Sequence, residues 1–272
     1  MKIHYFMYLI IPFILSGCNA YISENEMVDS ESFNTNETPR LINKNKLSIY
    51  SKYKTPEGFV REKPITPFSL FLNNLPLKAD KYKVKLYDGT PKINESSYVG
   101  IIDLPSFTTN IQHHANAIIR LRAEYFYKNK MYDQINFKVN SRTKVKSYLE
   151  FINEDYSYKK FNEYLQYLLE KTTTNSILQN LKSIKMKDIQ IGDVLVQRSN
   201  IKSHAVIVMD VAKNAKGEKI FILAQSYYPG QDIQIISNPS NEEISPWYYA
   251  EDGVILTPEW RFMSSDLMLF ID

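Results

Sequence analysis

The chain has 272 residues, enough for one large domain or two small ones, and its 44% hydrophobic and 13% aromatic content can fill a core. Its 20 tyrosines and 14 phenylalanines are not typical of a disordered protein. The net charge of +3 comes from 33 basic and 30 acidic side chains, and no basic stripe stands out. Nucleic acid is therefore not an expected partner.

The first residues have the pattern of a bacterial lipoprotein signal. Lys2 precedes an apolar run, residues 5–15, which is too short to span a bilayer. The run ends in Leu15-Ser16-Gly17-Cys18, which resembles a lipobox. We therefore predict a signal peptide at residues 1–17 and lipidation of Cys18, so that acyl chains anchor the protein to a membrane of the bacterial cell envelope. The alternative is an uncleaved apolar N-terminus with a buried cysteine.

The composition changes after the cysteine. Residues 19–44 are rich in Ser, Asn, Thr and Glu and show no apolar periodicity, which is typical of a solvated linker. We predict the lipidated cysteine and a flexible tether at residues 18–46, followed by a single domain at residues 47–272.

Helical patterns come first in this domain. The longest helix is predicted at residues 111–128, after the capping residues Thr108-Thr109-Asn110, because apolar residues recur there at steps of three and four. The same pattern predicts further helices at residues 68–75, 143–151, 158–171 and 174–182. Short strands are predicted at residues 84–87, 98–103 and 135–139.

Four strand patterns follow close together. They are residues 189–196, 204–211, 219–227 and 232–236, separated by the turn-forming residues Asn200, Asn214 with Gly217, and Pro229-Gly230. Helices followed by an antiparallel run of strands indicate an α+β fold with a central helix packed on the sheet. The order of these elements is that of papain-like folds of the NlpC type.

A papain-like amidase needs a thiolate at a helix N-terminus, a histidine that opens a neighbouring strand, and a polar side chain on the next strand that orients the imidazole. In this chain His204 and Gln225 stand at the second and third of these positions. His114 stands at the first, so the thiol nucleophile is missing. These three residues are the candidate catalytic set, and for each a structural role is the alternative.

Three further residues are candidates for ligand binding. Arg122 on the long helix could bind an acidic group or belong to a set of internal salt bridges. Asp193 could contact a ligand or accept hydrogen bonds from turn backbone. Trp247 could line a ligand site or cover the sheet.

Metal binding is a possibility that the sequence disfavours. His113, His114 and His204 could coordinate zinc only if helix and strand brought them together. Adjacent residues on a helix point about 100° apart, so His113 and His114 rarely share one ion. We therefore predict no metal and no other cofactor.

Several segments resemble a bacterial family known as domain of unknown function 4846, whose members are typically lipoproteins. The resemblance covers about residues 58–262. It is carried by residues 58–63, 74–78, 86–89 and 120–125, and by Ile191-Gly192-Asp193-Val194, His204-Ala205-Val206-Ile207-Val208, Leu223-Ala224-Gln225-Ser226-Tyr227 and Thr257-Pro258-Glu259-Trp260. Members often have Gln-Gln-Cys-Ala where this chain has Gln112-His113-His114-Ala115. The segment from Gly192 to Val208 is also similar to cell-wall amidases of the NlpC type, which implies that His114 replaces the nucleophile.

Three functions follow from these patterns. The first is a lipid-anchored protein with an amidase-like cleft that has lost its thiol and binds a peptide or glycan ligand of the cell envelope. The second is an active cell-envelope hydrolase that uses a non-thiol or metal-assisted mechanism. The third is a structural or assembly lipoprotein without a ligand site. Convergence of His114, His204 and Gln225 would favour the first two.

Overall fold

The computed structural model describes residues 41–137, 139, 145–197 and 203–271. The predicted signal peptide, Cys18 and most of the predicted tether lie outside these residues. Residues 41–46 of the predicted tether are hydrogen-bonded to the domain: the N–H of Asn43 donates to the carbonyl of Lys52 at 2.7 Å, and Lys54 donates to Leu41 at 2.7 Å. Within the described ranges, no helix has the length and apolar character needed to cross a membrane.

The helices of the described chain surround one long member. They are α1 (Ile49–Lys52), α2 (Pro67–Asn73), α3 (Ala115–Lys128), α4 (Tyr148–Ile152), α5 (Tyr158–Leu169) and α6 (Thr174–Leu178).

The strands begin early in the domain and become dense after residue 181. They are β1 (Phe59–Arg61), β2 (Tyr98–Ile101), β3 (Leu181–Ser183), β4 (Val194–Gln197), β5 (His204–Asn214), β6 (Lys219–Gln225), β7 (Gln234–Ile236), β8 (Trp247–Tyr249), β9 (Val254–Leu256), β10 (Arg261–Met263) and β11 (Leu267–Phe270).

Nine of these strands form one antiparallel sheet with β5 and β6 at its centre. The order is β2-β7-β6-β5-β4-β11-β3, with β1 also paired to β5 and β8 also paired to β6. β9 and β10 form a separate hairpin. The first nine residues of β5 are all buried, which is typical of a strand covered on both faces.

The central helix α3 packs on β5 and is enclosed by α2, α5 and α6. Its residues from Ala115 to Phe126 are all buried, including the charged side chains of Arg120 and Glu124. Helix α5 shows the amphipathic pattern expected of a covering helix, with Phe161, Leu165 and Leu168 fully buried. The predicted α+β class is thus confirmed.

Two predicted strands are wrong. At residues 84–87 the structure has only isolated bridges, between Lys85 and Pro91 and between Leu86 and Gln231. Pro91 lacks a backbone N–H, so the short loop that it closes cannot extend into a ladder. Residues 135–137 of the second predicted strand follow a 3₁₀ turn, Tyr132–Gln134, and form no strand.

The helix predicted at residues 174–182 ends at Leu178, because Leu181–Ser183 pairs with β11 instead. The four strands β8 to β11 are absent from the sequence prediction.

Candidate functional site

The central helix begins at Ala115, four residues later than predicted, because tertiary hydrogen bonds use the backbone groups of its expected first turn. The carbonyl of Gln112 accepts from Ser226 Oγ at 2.6 Å and from the N–H of Gln231 at 3.1 Å. The N–H of His114 donates to the carbonyl of Ser226 at 3.0 Å. These bonds fasten the start of the helix to the segment that follows β6.

His114 itself has an unusual backbone conformation. Its φ is 50° and its ψ is −128°, directly before the helix. Non-glycine residues adopt such conformations at a cost of about 1–3 kcal/mol, and they persist where the surrounding structure imposes them. Strain of this kind is found at functional sites, which makes His114 a candidate on grounds independent of the sequence pattern.

The three residues of the predicted catalytic set lie in one hydrogen-bonded row. Nδ1 of His114 and Nδ1 of His204 are 2.7 Å apart, and Nε2 of His204 is 2.8 Å from Oε1 of Gln225. His204 is the first residue of β5 and Gln225 the last of β6, and both side chains are almost completely buried. His114 is half-buried and forms the outer end of the row.

Two charged residues that were not among the predicted site residues extend the row beyond Gln225. Nε2 of Gln225 donates to Oε2 of Glu259 at 2.6 Å, and Nζ of Lys92 donates to the same oxygen at 2.7 Å. Glu259 lies in the turn that joins β9 to β10, which Thr257 closes by a 2.8 Å bond from its N–H to the carbonyl of Trp260. The family-like segment Thr257-Pro258-Glu259-Trp260 could have indicated Glu259 in the sequence. No sequence pattern indicated Lys92.

Aromatic rings enclose the row. The ring of His204 lies 5.1 Å from that of Tyr227, 5.3 Å from Trp260 and 5.8 Å from Phe262, measured between centroids. Trp260 is fixed by a 2.7 Å hydrogen bond from Nε1 to Oε1 of Gln197. These rings help to exclude solvent from His204, whose side chain is completely buried.

Burial keeps both imidazoles uncharged at neutral pH. Loss of solvation, reinforced by the neighbouring His114, lowers the pKa of His204 from its ordinary 6.5 to about 3. Loss of solvation and the nearby His113 lower the pKa of His114 to about 4. Each ring therefore carries one N–H and one lone pair at pH 7.

The predicted ligand-binding residues lie outside this row. The guanidinium of Arg122 sits among aromatic rings, 4.6 Å from the centroid of Phe68 and 4.5 Å from that of Phe270. Trp247 is completely buried in β8, and its Nε1 donates to the carbonyl of Lys54 at 2.7 Å. A ligand role for either residue stays a prediction.

Asp193, the third predicted ligand-binding residue, is buried in the turn before β4. Its Oδ2 accepts a hydrogen bond from the N–H of Gln190 at 2.7 Å. Burial raises the pKa of this carboxyl to about 7, although the Gln190 bond and Lys219 act in the opposite direction.

We expect the substitution Asp193→Asn to stabilise the protein at alkaline pH. A pKa raised above the unfolded value favours folding below about pH 4, and this contribution is lost as the pH rises through about 7. Asparagine cannot ionise and keeps an acceptor for Gln190. The free energy of unfolding of the variant should exceed that of the parent by an amount that grows from about pH 4 to pH 8, reaching up to about 4 kcal/mol. Urea denaturation across this range measures it, with the exposed Asp188→Asn as control; a difference independent of pH would contradict the assignment.

The described residues contain no cluster of three or more histidine, cysteine, aspartate or glutamate side chains placed to hold a metal ion. His114 and His204 face each other through Nδ1 atoms that hydrogen-bond directly. What the row can do is hold one imidazole edge, that of His114, in a fixed position and a defined protonation state.

Comparison with known proteins gives one match. A family model described as "Domain of unknown function (4846)" matches residues 49–153 and 141–269. No curated protein and no solved structure matches the chain.

Proposed function

Because the chain belongs to the family described as domain of unknown function 4846, whose description names no activity, we propose its function from the row of side chains at the start of α3. The protein is a lipid-anchored component of the bacterial cell envelope. It binds a peptide or glycan ligand in a cleft of papain-like architecture in which His114 stands at the nucleophile position.

One observation carries this proposal: His114, His204 and Gln225 form a continuous hydrogen-bonded row although they come from three separate elements. A papain-like site needs a nucleophile at a helix start, a histidine on a neighbouring strand and a polar side chain on the next strand that orients the imidazole. Packing alone does not require that a buried imidazole, itself bonded to a buried amide, contacts the strained residue before a helix.

The outer end of the row has a rim suited to a ligand. The ring of His113 lies 5.2 Å from His114 and 5.8 Å from Tyr228. Tyr228 is 59% exposed and lies beside the half-buried His113. Exposed aromatic rings beside a polar group provide contact area at low entropic cost and are enriched where ligands and partners bind.

A hydrolase with a non-thiol mechanism is the second candidate, supported by the uncharged state of His114. A neutral imidazole with a lone pair at an accessible edge can take a proton from water. Its pKa of about 4 makes it a weak base, so we rank binding before catalysis.

The binding proposal predicts that Tyr228→Ala weakens binding of peptidoglycan stem peptides or glycan fragments about tenfold, which corresponds to about 1.4 kcal/mol. Isothermal titration of the full chain with each fragment measures this. Tyr82→Ala is the matched control, because Tyr82 is a similarly exposed tyrosine (51%) elsewhere on the surface. Absence of binding by every fragment, or equal affinities for both variants, would contradict the proposal.

The lipid anchor is tested separately. We expect the protein to incorporate a labelled fatty acid and the substitution Cys18→Ser to abolish this incorporation.

A further inference from the structure

We propose that Glu259 is a positioning residue that sets the tautomers of both histidines, so that His114 presents an unprotonated Nε2 at the outer end of the row. The tautomers follow from contacts inside the row alone. The consequence for the ligand, a preference for N–H or O–H groups facing Nε2, rests on the proposed function.

The orientation of the Gln225 amide follows from its contact with Glu259. An ionised carboxylate only accepts hydrogen bonds, and Oε2 of Glu259 already accepts from Lys92 at 2.7 Å. The group of Gln225 that lies 2.6 Å from this oxygen must therefore be its NH₂. A rotated amide would place a carbonyl oxygen against the carboxylate, where two acceptors repel each other. Gln225 thus turns its Oε1 towards His204.

The proton on His204 follows from this orientation of the amide. Oε1 of Gln225 accepts, so Nε2 of His204, 2.8 Å away, carries the hydrogen. His204 is completely buried and uncharged, so its other nitrogen has no proton. Nδ1 of His204 is consequently an acceptor that faces the start of α3.

The proton on His114 follows from that on His204. The two Nδ1 atoms are 2.7 Å apart, and one of them must donate. Because Nδ1 of His204 is the acceptor, Nδ1 of His114 bears the proton, and Nε2 of the neutral ring keeps its lone pair. Within the described part of the chain, no protein group donates to this Nε2. The direction of every hydrogen bond in the row therefore follows from the negative charge of Glu259 at the end opposite His114.

The same order explains how the position tolerates histidine. The lone pair on Nδ1 of His204 would accept the S–H of a cysteine at position 114 as it accepts the N–H of the present imidazole. The direction of the hydrogen bonds along the row is thus the same with cysteine or histidine at position 114. With histidine, Nε2 of the ring lies at the outer end of the row.

Nitrogen NMR of the full chain labelled with ¹⁵N-histidine tests the proposal, since the sequence has only 4 histidines to assign. Two-bond proton–nitrogen spectra distinguish protonated from unprotonated ring nitrogens. We expect Nδ1–H with bare Nε2 for His114 and the reverse for His204 at neutral pH. The opposite pattern in either ring would overturn the proposal. This measurement needs no ligand, so the tautomer proposal can be confirmed or overturned whether or not the binding experiment succeeds.

Variants test the role of Glu259. Glu259→Gln removes the charge, and we expect loss of the single pattern, with both tautomers of His204 and His114 in the spectra. Since this variant leaves Lys92 buried without its partner, the double variant Lys92→Met/Glu259→Gln is measured beside it, with far-ultraviolet circular dichroism to verify folding. Glu251→Gln, which changes an exposed acid earlier in the same C-terminal segment of the chain, is the control. An unchanged pattern in a folded variant that lacks the Glu259 carboxylate would refute the positioning role.

Discussion

Replacing His114 with cysteine is expected to give a thiol that reacts with iodoacetamide at neutral pH about tenfold faster than an ordinary cysteine. The side chain at this position faces the unprotonated Nδ1 of His204, which lies 2.7 Å from Nδ1 of the present imidazole. A neighbouring imidazole and a helix N-terminus both favour the thiolate and lower the thiol pKa from about 8.5. Loss of the His114 ring also removes an electrostatic interaction that lowers the pKa of His204, so that His204 accepts a proton from the new thiol more readily.

The matched control is His113→Cys, since His113 is also half-buried but makes no hydrogen bond to His204. Both substitutions are made in a Cys18→Ser background, so that each protein has a single thiol. The rate of labelling is followed by mass spectrometry between about pH 5 and pH 9, where thiolate formation shows as the midpoint of the profile. Equal rates and midpoints for the two cysteines would argue against a nucleophile position at residue 114.

Substituting Arg61 with methionine should destabilise the domain by about 3–5 kcal/mol near pH 8. Nε of Arg61 lies 2.6 Å from Oδ2 of Asp210, whose side chain is completely buried in β5. Arg61 also donates to the carbonyl of Tyr53 and stacks 5.6 Å from the centroid of Trp247. Without the guanidinium, the carboxylate is buried with no opposite charge. The free energy of unfolding in urea measures the loss.

The loss should shrink in acid. Burial raises the pKa of Asp210 to about 6 even with Arg61 present, and removal of Arg61 raises it further. A folded pKa above the unfolded one means that the stabilising protonated form dominates below about pH 4, and its contribution disappears as the pH rises through the folded pKa. Arg61→Met/Asp210→Asn is expected to recover most of the stability at pH 8, since no charge remains to be compensated. Arg61 would act through packing alone if the double variant were as unstable as the single one. The same would follow if Arg61→Met lowered the free energy of unfolding equally at pH 8 and at about pH 4.

The sequence was most informative where local pattern and chemistry coincide. His204 opens an apolar run that is long enough for a strand, and Gln225 ends the next such run, so hairpin geometry brings the two to the same region. The residue types Asn214 and Gly217 predicted the turn between these strands. In the structure Gly217 has a φ of 84°, a conformation that favours glycine. These features depend on neighbours in sequence.

Long-range contacts decided what the sequence could not reveal. Lys92 and Glu259 are far apart in the chain, and neither lies in a pattern that predicts its partner; only the fold places them 2.7 Å apart. Helix α3 begins at Ala115, later than predicted, because Ser226 and Gln231 form hydrogen bonds with the backbone just before it. Helix propensity is a local property and does not include such tertiary hydrogen bonds. The role of Trp247 as a strand residue likewise arises from pairing with β6.

The position of β11 has a consequence for folding of the chain. This strand lies between β4 and β3 in the sheet, although both of those precede it by a long stretch of chain. Until β11 pairs, one row of backbone N–H and C=O groups on β4 has no strand partner, and an unpaired edge of this kind favours association with other chains.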